Sequence, residues 1–338
     1  MNAERFEAIT RRYGQLRVAL IGDFCLDRYL EIDPAKSEVS IETSLEVYNV
    51  VRVRSQPGAA GTILNNLVAL GAGTVYPIGF CGVDGEGFEL RRSLAAKAGV
   101  NLGYFVETEE RRTFTYCKPL IVEPGKSPRE LNRLDSKNWS PTPRSVESQL
   151  VAGLEKAAAH IDALIVMDQV DVTETGVVTA RVLEAVGRIA KQRPELLIMA
   201  DSRRGLRDYP SVGFKMNRAE LAVLTGRDAD MKLPEIRTTA ADLARSNARP
   251  VFVTLSEQGI IGVDAKGSVE HAQALPVRGE IDIVGAGDAV TANLSAALAS
   301  GASIREAIEL ANAAASVVIH QLGTTGTASV IQLREVVC

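Results

Sequence analysis

The sequence predicts an α/β fold in which helices flank a doubly wound, mainly parallel sheet. Short apolar runs alternate with helical or loop segments along most of the chain, among them LRVALIGD at 16–23, ALIVMDQ at 163–169 and ELLIMADS at 195–202. Such alternation is typical of a parallel sheet that helices cover on both faces. No linker, repeat or low-complexity tract divides the chain, so we expect a single domain over 1–338.

A second pattern interrupts this alternation twice. Apolar and polar residues alternate one by one within 29–54, as in SLEVYNVVRVRS, and again within 113–122, as in TFTYCKPLIV. Alternation with a period of two residues is typical of strands with one apolar and one exposed face. We expect the two segments to form a small antiparallel β lid, whose apolar face would also pair with a second copy of the chain in a homodimer.

Helical spacing marks several of the intervening segments. The first residues, MNAERFEAIT, predict an amphipathic helix that leads into the first strand. The stretch at 57–73, PGAAGTILNNLVALGAG, predicts a glycine turn followed by a helix that ends at Gly71. GEGFELRRSLAAKAG at 85–99 predicts a third helix, and small apolar residues recur at helical spacing within 286–300.

Composition restricts the classes of partner. The net charge of −4 gives no electrostatic reason to expect nucleic acid or an anionic membrane. No apolar run approaches the ~18 residues of a membrane span, and the N-terminus lacks the features of a signal peptide. Four scattered cysteines without a C-x-x-C pair predict reduced thiols in a soluble, cytoplasmic protein.

Polar residues collect where the predicted strands end. They are Asp23, Asp27, Asp168, Asp201, Asn217 and Ser256. Ligands of open α/β sheets bind outside the carboxyl ends of the strands, so this edge is where we expect the functional site.

Phosphate-binding motifs of two common kinds are missing. The chain has no G-x-x-x-x-G-K-[ST] loop, which leaves a P-loop site unsupported. ALIGDFCLD, at the end of the first strand, also lacks G-x-G-x-x-G, which disfavours a nicotinamide-dependent oxidoreductase.

The stretch DIVGAGDAV at 282–290 predicts a different anion site. Gly285, Ala286 and Gly287 would let backbone N–H groups approach an anion at the positive end of the following helix. Asp288 would accept a hydrogen bond from a substrate hydroxyl. An anion site beside a base is what phosphoryl transfer to an alcohol requires. The alternative is that Asp288 only caps a helix behind a glycine turn.

The wider pattern resembles the ribokinase-like (PfkB) family of sugar kinases. GAGD follows an aspartate, with PGAAGTILNN upstream and LANAAASVVIHQLGTTG downstream, and the landmarks keep the family's order from IGDFCLD to GTTGTAS. GDFCLDRY, LNRLD and ANAAASVV resemble most the kinases that act on heptose 7-phosphate for lipopolysaccharide precursors. The resemblance implies a ribokinase-like fold, ATP and Mg²⁺, and a sugar or sugar phosphate as acceptor.

On the acceptor side, the resemblance implies roles for matching positions. Asp288 would be the catalytic base, and residues 285–287 would bind the transferred phosphoryl group. Asp27 would bind sugar hydroxyls, and Gly58 and Thr62 belong to the sugar-binding glycine segment. Lys118, or Arg111, would bind a phosphate already present on the sugar.

On the nucleotide side, the resemblance implies two groups of residues. Asn217 and Glu220 match an N-x-x-E motif that organises Mg²⁺ and phosphates through water. The positions matched to the nucleotide phosphates, ribose and adenine are Thr254, Ser256, Gly259 and Asn312. Asp282 and the backbone of Val284 match part of a monovalent-cation site, which would hold K⁺.

The chain departs from the family pattern at five positions. These departures concern the expected sugar and phosphate pockets more than the expected base, Asp288. Thr62 stands in place of an asparagine, Arg203 in place of the lysine of D-P-K, and Val284 in place of a threonine. In TFTYCK, Tyr116 replaces a lysine and Lys118 an arginine. Kinase chemistry is expected to survive, with a different acceptor such as fructose, ribose or a nucleoside as one alternative. A binding module without turnover is another.

Overall fold

The computed structural model describes residues 1–323 and 325–338, and eight strands form its main sheet. In spatial order these are β16 (Val269–Ala272), β15 (Ile260–Val263), β14 (Val251–Thr254), β13 (Gly213–Asn217), β12 (Leu197–Ser202), β11 (Ala163–Asp168), β1 (Arg17–Gly22) and β6 (Thr74–Ile78). All neighbours from β14 to β6 are parallel, and β15 and β16 add an antiparallel edge. The predicted mainly parallel sheet is confirmed.

Helices connect the strands and cover the sheet. They are α1 (Ala3–Thr10), α2 (Ala60–Ala69), α3 (Gly85–Ala95), α4 (Arg144–Ala158), α5 (Ala180–Gln192), α6 (Arg218–Thr225), α7 (Leu233–Asn247), α8 (Ala286–Ala299), α9 (Ile304–Ile319) and α10 (Val330–Val337). In the described part of the chain, no helix is both long enough and apolar enough to cross a bilayer.

Two hydrophobic cores lie on opposite faces of the main sheet. Along β1, Ala19 and Ile21 belong to the core that includes α4, α5 and α7, whereas Val18 and Leu20 belong to the core that includes α2, α8 and α9. Successive side chains of a strand point to opposite faces. An uninterrupted apolar run such as RVALIG is therefore buried on both sides, as the doubly wound prediction requires.

A second sheet of four strands lies at the predicted lid segments. Its order is β10 (Arg129–Glu130), β9 (Phe114–Ile121), β2 (Phe24–Ile32) and β5 (Val50–Ala59). Strands β2 and β5 are antiparallel, as are β9 and β10, but the central pair of β2 and β9 is parallel. The predicted small antiparallel lid is confirmed by the pairs of β2 with β5 and β9 with β10. The parallel pair between them was not predicted, because alternation reports which face a strand exposes and not the direction of its neighbour.

Two short strand pairs complete the structure. The hairpin of β3 (Glu38–Val39) and β4 (Glu46–Val47) lies within the predicted lid segment, before β5. Strands β7 (Phe80–Gly82) and β8 (Val106–Thr108) pair in parallel.

Candidate active site

The loop before α8 places a helix N-terminus at the carboxyl edge of the main sheet. Gly285 is the N-cap residue and has a left-handed φ of 83°. A Cβ at Gly285 would lie 2.5 Å from Cγ2 of Thr325, so the loop requires glycine there. The first helical bond runs from the N–H of Ala289 to the oxygen of Gly285, which leaves the N–H groups of Gly287 and Asp288 without an intrahelical acceptor. We call residues 285–287 the anion loop.

Asp288 lies in the first turn of α8 and is not its cap. The N-cap residue is Gly285, and within the described residues the half-buried carboxylate of Asp288 accepts no hydrogen bond. Burial, and then the charge of Asp201, raise the pKa of Asp288 to about 7, although the ammonium of Lys215 opposes the shift. The helix-cap alternative is therefore wrong, and the carboxyl group is suited to exchange a proton near neutral pH.

A buried ion pair lies beside the anion loop. Nζ of Lys215 is 2.8 Å from Oδ2 of Asp201, and both side chains are 9% exposed. The hydroxyl of Thr291, one turn into α8, donates to the same Asp201 oxygen at 2.8 Å. Asp201, at the end of β12, thus connects β13 to the helix that carries Asp288.

The residues predicted to bind the sugar lie at one end of the small sheet. Asp27 pairs with Gln56 on β5 and Tyr116 on β9, while Cys25 pairs with Gly58. A Cβ at Gly58 would lie 2.5 Å from Oδ2 of Asp27, so this glycine leaves room for the carboxylate. Burial raises the pKa of Asp27, whereas Lys118 and Arg133 lower it.

Two cations lie over the ring of Tyr116, and a third shares an ion-pair partner with one of them. The guanidinium of Arg133 lies 4.8 Å from the ring centroid and Nζ of Lys137 lies 5.8 Å from it. Lys137 forms an ion pair with Asp171 at 2.8 Å, and Arg203 lies 3.5 Å from the other oxygen of Asp171. We call Arg133, Lys137 and Arg203 the Tyr116 cluster.

The structure separates the two residues predicted to bind a phosphate on the acceptor. Nζ of Lys118 lies 5.0 Å from the centroid of the Tyr29 ring, on the same sheet face as Asp27. Arg111 is buried, and its guanidinium donates to the backbone oxygens of Ser140 and Thr175 at 2.7 and 2.8 Å. The expectation for Arg111 is wrong, because its donors fasten two loops together.

Thr62 lies beside the anion loop. It is buried in the first turn of α2, and its Cγ2 is 3.4 Å from the position of a Cβ on Gly285. Asn65 and Asn66, in the same helix, donate to the backbone oxygens of Pro57 and Thr62 at 3.1 and 3.0 Å. These two side chains therefore hold the glycine segment and do not replace the family's asparagine.

The N-x-x-E pair forms a helix cap. Oδ1 of Asn217 accepts from the N–H of Glu220 at 2.9 Å, and Oε2 of Glu220 accepts from the N–H of Asn217 at 2.7 Å. This capping box begins α6 at the carboxyl end of β13. Glu220 is half-buried, and burial raises its pKa.

The remaining nucleotide candidates lie at the adjoining strand ends. Thr254 ends β14 and donates to the oxygen of Met216 at 3.4 Å. Ser256 and Gly259 have left-handed φ angles of 52° and 85°. A Cβ at Gly259 would collide with the backbone of Ala272, so the turn approaches this segment closely.

Asn312 holds the same segment from the side of α9. Its amide donates to the oxygens of Ala272 and Gln273, each at 2.9 Å. A cavity of 470 Å³ opens here, with Asn312, Gln273 and Leu275 in its lining. A larger cavity of 1510 Å³, lined by residues of α5 and of the segments 204–205 and 207–211 among others, contains none of the predicted site residues.

Asp282 and Val284, the positions predicted for a monovalent cation, lie in a turn that precedes the anion loop. Oδ1 of Asp282 accepts from the N–H of Val284 at 3.0 Å, so this carboxylate closes a local turn. Across the described residues, no three acidic, histidine or cysteine side chains form a metal cluster.

Sequence analysis missed Lys215. The signal was present, because a lysine inside the buried strand GFKMN is unusual without a charged partner. Arg133 lies in LNRLD, which carried part of the resemblance, and Lys137 follows shortly after. Neither could be assigned to the site, because their distance from Tyr116 depends on how β9 and the segment after β10 fold together.

Comparison with known proteins agrees with this geometry. A family model described as pfkB family carbohydrate kinase matches residues 17–330. The bifunctional protein HldE of Bradyrhizobium sp. (strain ORS 278) is 30% identical over 333 residues, which are 98% of this chain and 65% of that protein. HldE of Rhodopseudomonas palustris (strain BisB18) is 31% identical over 320 residues, with coverages of 94% and 63%. The chain spans less than two thirds of the length of these curated relatives.

Solved structures resemble the whole chain. Phosphofructokinase-2 from Escherichia coli, in complex with substrates and products, has a TM-score of 0.71 and 20% identity, and the match covers 95% of this chain and 98% of that one. Arabidopsis thaliana ribokinase complexed with ribose and ATP has a TM-score of 0.65 and 17% identity, with coverages of 95% and 97%. The predicted ribokinase-like fold is confirmed.

Proposed function

This chain belongs to the pfkB family of carbohydrate kinases, and we propose that it transfers the γ-phosphoryl group of ATP to a hydroxyl of a phosphorylated sugar. The observation that carries the proposal is Asp288, a carboxyl group without a hydrogen-bond partner among the described residues, directly behind the anion loop. The family resemblance supports the same chemistry at this position. An acceptor like heptose 7-phosphate is supported by the similarity to HldE proteins.

The proposed reaction uses Asp288 as a general base. Its ionised carboxylate takes the proton of the acceptor hydroxyl, and the hydroxyl oxygen forms a bond to the γ-phosphorus of ATP. The bond between this phosphorus and the bridging oxygen breaks, and ADP leaves with the electron pair. The N–H groups of the anion loop and the N-terminal end of α8 stabilise the negative charge on the phosphoryl oxygens.

The nucleotide would lie across the ends of β13, β14 and the segment held by Asn312. Thr254, Ser256 and Gly259 would line the phosphates and ribose, and the 470 Å³ cavity beside Asn312 would take the base. When bound, Mg²⁺ neutralises charge on the phosphates, and Asn217 and Glu220 would hold it through water. Asp282 and the backbone of Val284 stay predictions for a K⁺ site.

The acceptor would lie between Asp27 and the Tyr116 cluster. Asp27 would bind sugar hydroxyls above Gly58, and Thr62 would border the reacting hydroxyl from the side of the anion loop. Arg133, Lys137 and Lys118 would bind the phosphate that the sugar already carries, because arginine and lysine form strong charge-assisted hydrogen bonds with phosphate oxygens. A neutral acceptor such as ribose or a nucleoside would leave these cations without a role.

The lid hairpin would join two copies of the chain. Val39, Ile41 and Leu45, on or beside β3 and β4, expose 65%, 100% and 68% of their surface. Contiguous apolar surface of this kind marks an interaction site in many proteins. A homodimer, like a cytoplasmic location, stays a prediction for this chain.

The decisive test is phosphoryl transfer by the wild type and by Asp288→Asn. The substitution keeps the shape of the side chain but removes the base, so turnover should fall by ~10²–10⁴. Release of ADP would be measured with a panel that contains heptose 7-phosphate, fructose 6-phosphate, ribose and a nucleoside. Asp33→Asn is the matched control, since Asp33 caps a short helical turn in the lid and asparagine caps as well as aspartate.

Three outcomes would change the proposal. Equal turnover in the wild type and Asp288→Asn would contradict the role of Asp288. Tight ATP binding without turnover on any acceptor would favour a binding module that has lost activity. Thermal stabilisation by NAD but not by ATP would contradict a kinase altogether.

A further inference from the structure

Asp23 is a buried carboxylate that the proposed reaction does not use. It follows β1 at the carboxyl edge of the main sheet and is 2% exposed. Within the described residues it forms no ion pair, and its carboxylate accepts backbone hydrogen bonds instead. They come from the N–H groups of Gln169 at 2.8 Å, Val170 at 3.3 Å and Val177 at 2.7 Å. A buried charge is costly without such bonds, and bonds to a charged acceptor are strong.

These donors all belong to one loop, residues 169–177, which follows β11 and precedes α5. Oδ2 of Asp23 accepts from the first two residues of the loop, and Oδ1 accepts from its last residue. One carboxylate thus joins the two ends of the loop. The loop closes tightly on it, because a Cβ at Gly176 would lie 2.4 Å from Oδ1 of Asp23. We call residues 169–177 the Asp23 loop.

The Asp23 loop carries Asp171, which contacts two members of the Tyr116 cluster. One oxygen of Asp171 is 2.8 Å from Nζ of Lys137, and the other is 3.5 Å from Nε of Arg203. Asp171 directly follows Val170, whose N–H donates to Asp23. The position of the Asp171 carboxylate therefore depends on where Asp23 fixes the beginning of the loop.

Other residues hold the end of the Asp23 loop from outside. The hydroxyl of Thr142 donates to the oxygen of Gly176 at 2.6 Å, and the guanidinium of Arg111 donates to the oxygen of Thr175 at 2.8 Å. The N–H of Thr142 donates to the oxygen of Glu174 at 2.7 Å. These bonds reach residues 174–176, whereas the residues next to Asp171 are held from within by Asp23.

We propose that Asp23 is a positioning residue that gives the site its preference for a phosphorylated acceptor, an inference that rests on the proposed kinase function. By fixing the loop it fixes the carboxylate of Asp171, and thereby the positions of Lys137 and Arg203. A phosphate on the sugar would meet cations that are already in place, so less conformational freedom is lost on binding. Asp23 would act through these cations and would not itself contact the phosphate.

The carboxylate of Asp23 is ionised at the pH chosen for the test, pH 8. Burial, and then the charge of Asp168 on the neighbouring strand, raise the pKa of Asp23 to about 6, although the backbone bonds oppose the shift. Asparagine keeps the size of the side chain but has one acceptor oxygen instead of two, so Asp23→Asn frees one end of the loop. The main-chain bonds of residue 23 to Met167 and Ala60 are unaffected.

The test is a double-variant cycle that combines Asp23→Asn with Lys137→Gln. Asp23→Asn alone should raise KM for a phosphorylated sugar by ~10-fold, as the loss of one charge-assisted bond does, with KM for ATP unchanged. In the Lys137→Gln background the same change should raise that KM by only ~2–3-fold, because residues that act through one contact are not additive.

Asp264→Asn is the control for a purely structural effect. Asp264 also accepts two backbone bonds, from the N–H groups of Lys266 at 2.9 Å and Ser268 at 2.8 Å, in the turn between β15 and β16. This substitution should lower the melting temperature and leave both KM values unchanged.

Thr142→Val tests the same loop where Asp23→Asn does not fold. Valine keeps the shape of threonine but removes the hydroxyl that donates to Gly176. KM for the phosphorylated sugar should rise by ~3-fold, the effect of one neutral hydrogen bond, with KM for ATP unchanged. An unchanged KM for the sugar in this variant would show that the loop does not control acceptor binding.

The outcomes distinguish this inference from the proposed function. Additive effects of Asp23→Asn and Lys137→Gln, or equal rises in KM for the sugar and for ATP, would overturn the role of Asp23 while the kinase activity stands. The same cycle can be measured as calorimetric binding of fructose 6-phosphate and heptose 7-phosphate without ATP. A non-additive loss of binding in a protein that transfers no phosphoryl group would support Asp23 and count against the proposed function alone. A wild type that binds neither sugar phosphate would overturn the inference, even where it phosphorylates a neutral sugar.

Discussion

The two sides of the candidate site hold their charges in different ways. On the phosphoryl side, Asp201 and Lys215 form a buried pair whose side chains are both 9% exposed. On the acceptor side, Asp171 pairs with Lys137 and Arg203, whose side chains are 28% and 56% exposed. The first pair lies on neighbouring parallel strands of the main sheet, and the second group joins loops around the small sheet.

This difference indicates different tasks. A buried ion pair pays a desolvation cost that its Coulomb attraction repays only with good geometry, so its retention here points to a role other than stability. Exposed pairs are worth little to the fold and can rearrange when an anion competes for the cation. We expect the phosphoryl side to control turnover and the acceptor side to control which sugar binds.

The largest effect should come from pH, and it acts on the phosphoryl side. Asp288 must be ionised to accept a proton, and its pKa of about 7 is raised by burial and by Asp201. Below that pH the protonated fraction grows, so kcat/KM should fall ~10-fold for each further unit. A pH profile of initial rates checks this. A profile that stays flat down to pH 5 would contradict Asp288 as the base.

The next effect should come from the acceptor side. Arg133→Gln and Lys137→Gln each remove a cation from the ring of Tyr116. KM for a phosphorylated sugar should rise by ~10-fold, since an exposed charge-assisted bond contributes about this much, with KM for ATP unchanged. Lys126→Gln is the control, because Lys126 forms a more exposed pair with Glu123 in a loop away from the ring of Tyr116. Parallel rises in both KM values would place the cluster outside the acceptor pocket.

A smaller effect concerns the stability of Asp288→Asn. This variant should lose turnover but gain melting temperature. The folded state raises the pKa of Asp288, so it binds the proton more tightly than the unfolded chain does, and stability declines as pH rises from the ordinary value to about 7. Asparagine cannot ionise. Asp288→Asn should therefore melt ~2–5 °C higher than wild type at pH 8, with a smaller gain near pH 5.

Asp84 provides a control, because its substitution should change the melting temperature in the opposite direction. Burial would raise the pKa of Asp84, but hydrogen bonds from Thr113 and Gly87 outweigh it and lower the pKa. Its ionised form thus stabilises the fold above the ordinary pKa, and Asp84→Asn should lower the melting temperature at pH 8. A lower melting temperature for Asp288→Asn as well would show that Asp288 has an ionic partner and is not poised as a base.

The smallest effect on turnover should come from the outer face of the lid. Ile41, fully exposed in the monomer, would be buried between two copies. Ile41→Asp should convert a dimer to a monomer in sedimentation while turnover changes least of all the variants. Val223→Asp in α6 is the matched control, because Val223 is also exposed, at 69%, and lies outside the lid. A wild type that sediments only as a monomer would contradict the dimer.

Local sequence by itself determined the alternation of strands and helices. It also determined the make-up of the stretch DIVGAGDAV at 282–290, which contains the anion loop and Asp288. Apolar runs such as RVALIG can only be buried on both faces, which requires a parallel sheet between helices. The glycines of the anion loop and Asp288 are neighbours in the chain, so their association needed no tertiary information. The closeness of Asp27 and Gly58 agrees with the family resemblance, which gave both positions to the sugar site.

Tertiary structure decided what lies across from these residues. Lys215 meets Asp201 because β12 and β13 are parallel neighbours, and both meet α8 because that helix begins at the same edge of the sheet. The parallel pairing of β2 with β9 turned Tyr116 toward Asp27 and brought the Tyr116 cluster beside it. Sequence periodicity reports which face a side chain occupies, whereas strand order and direction depend on the packing of the whole chain, so these long-range contacts could not be predicted from it.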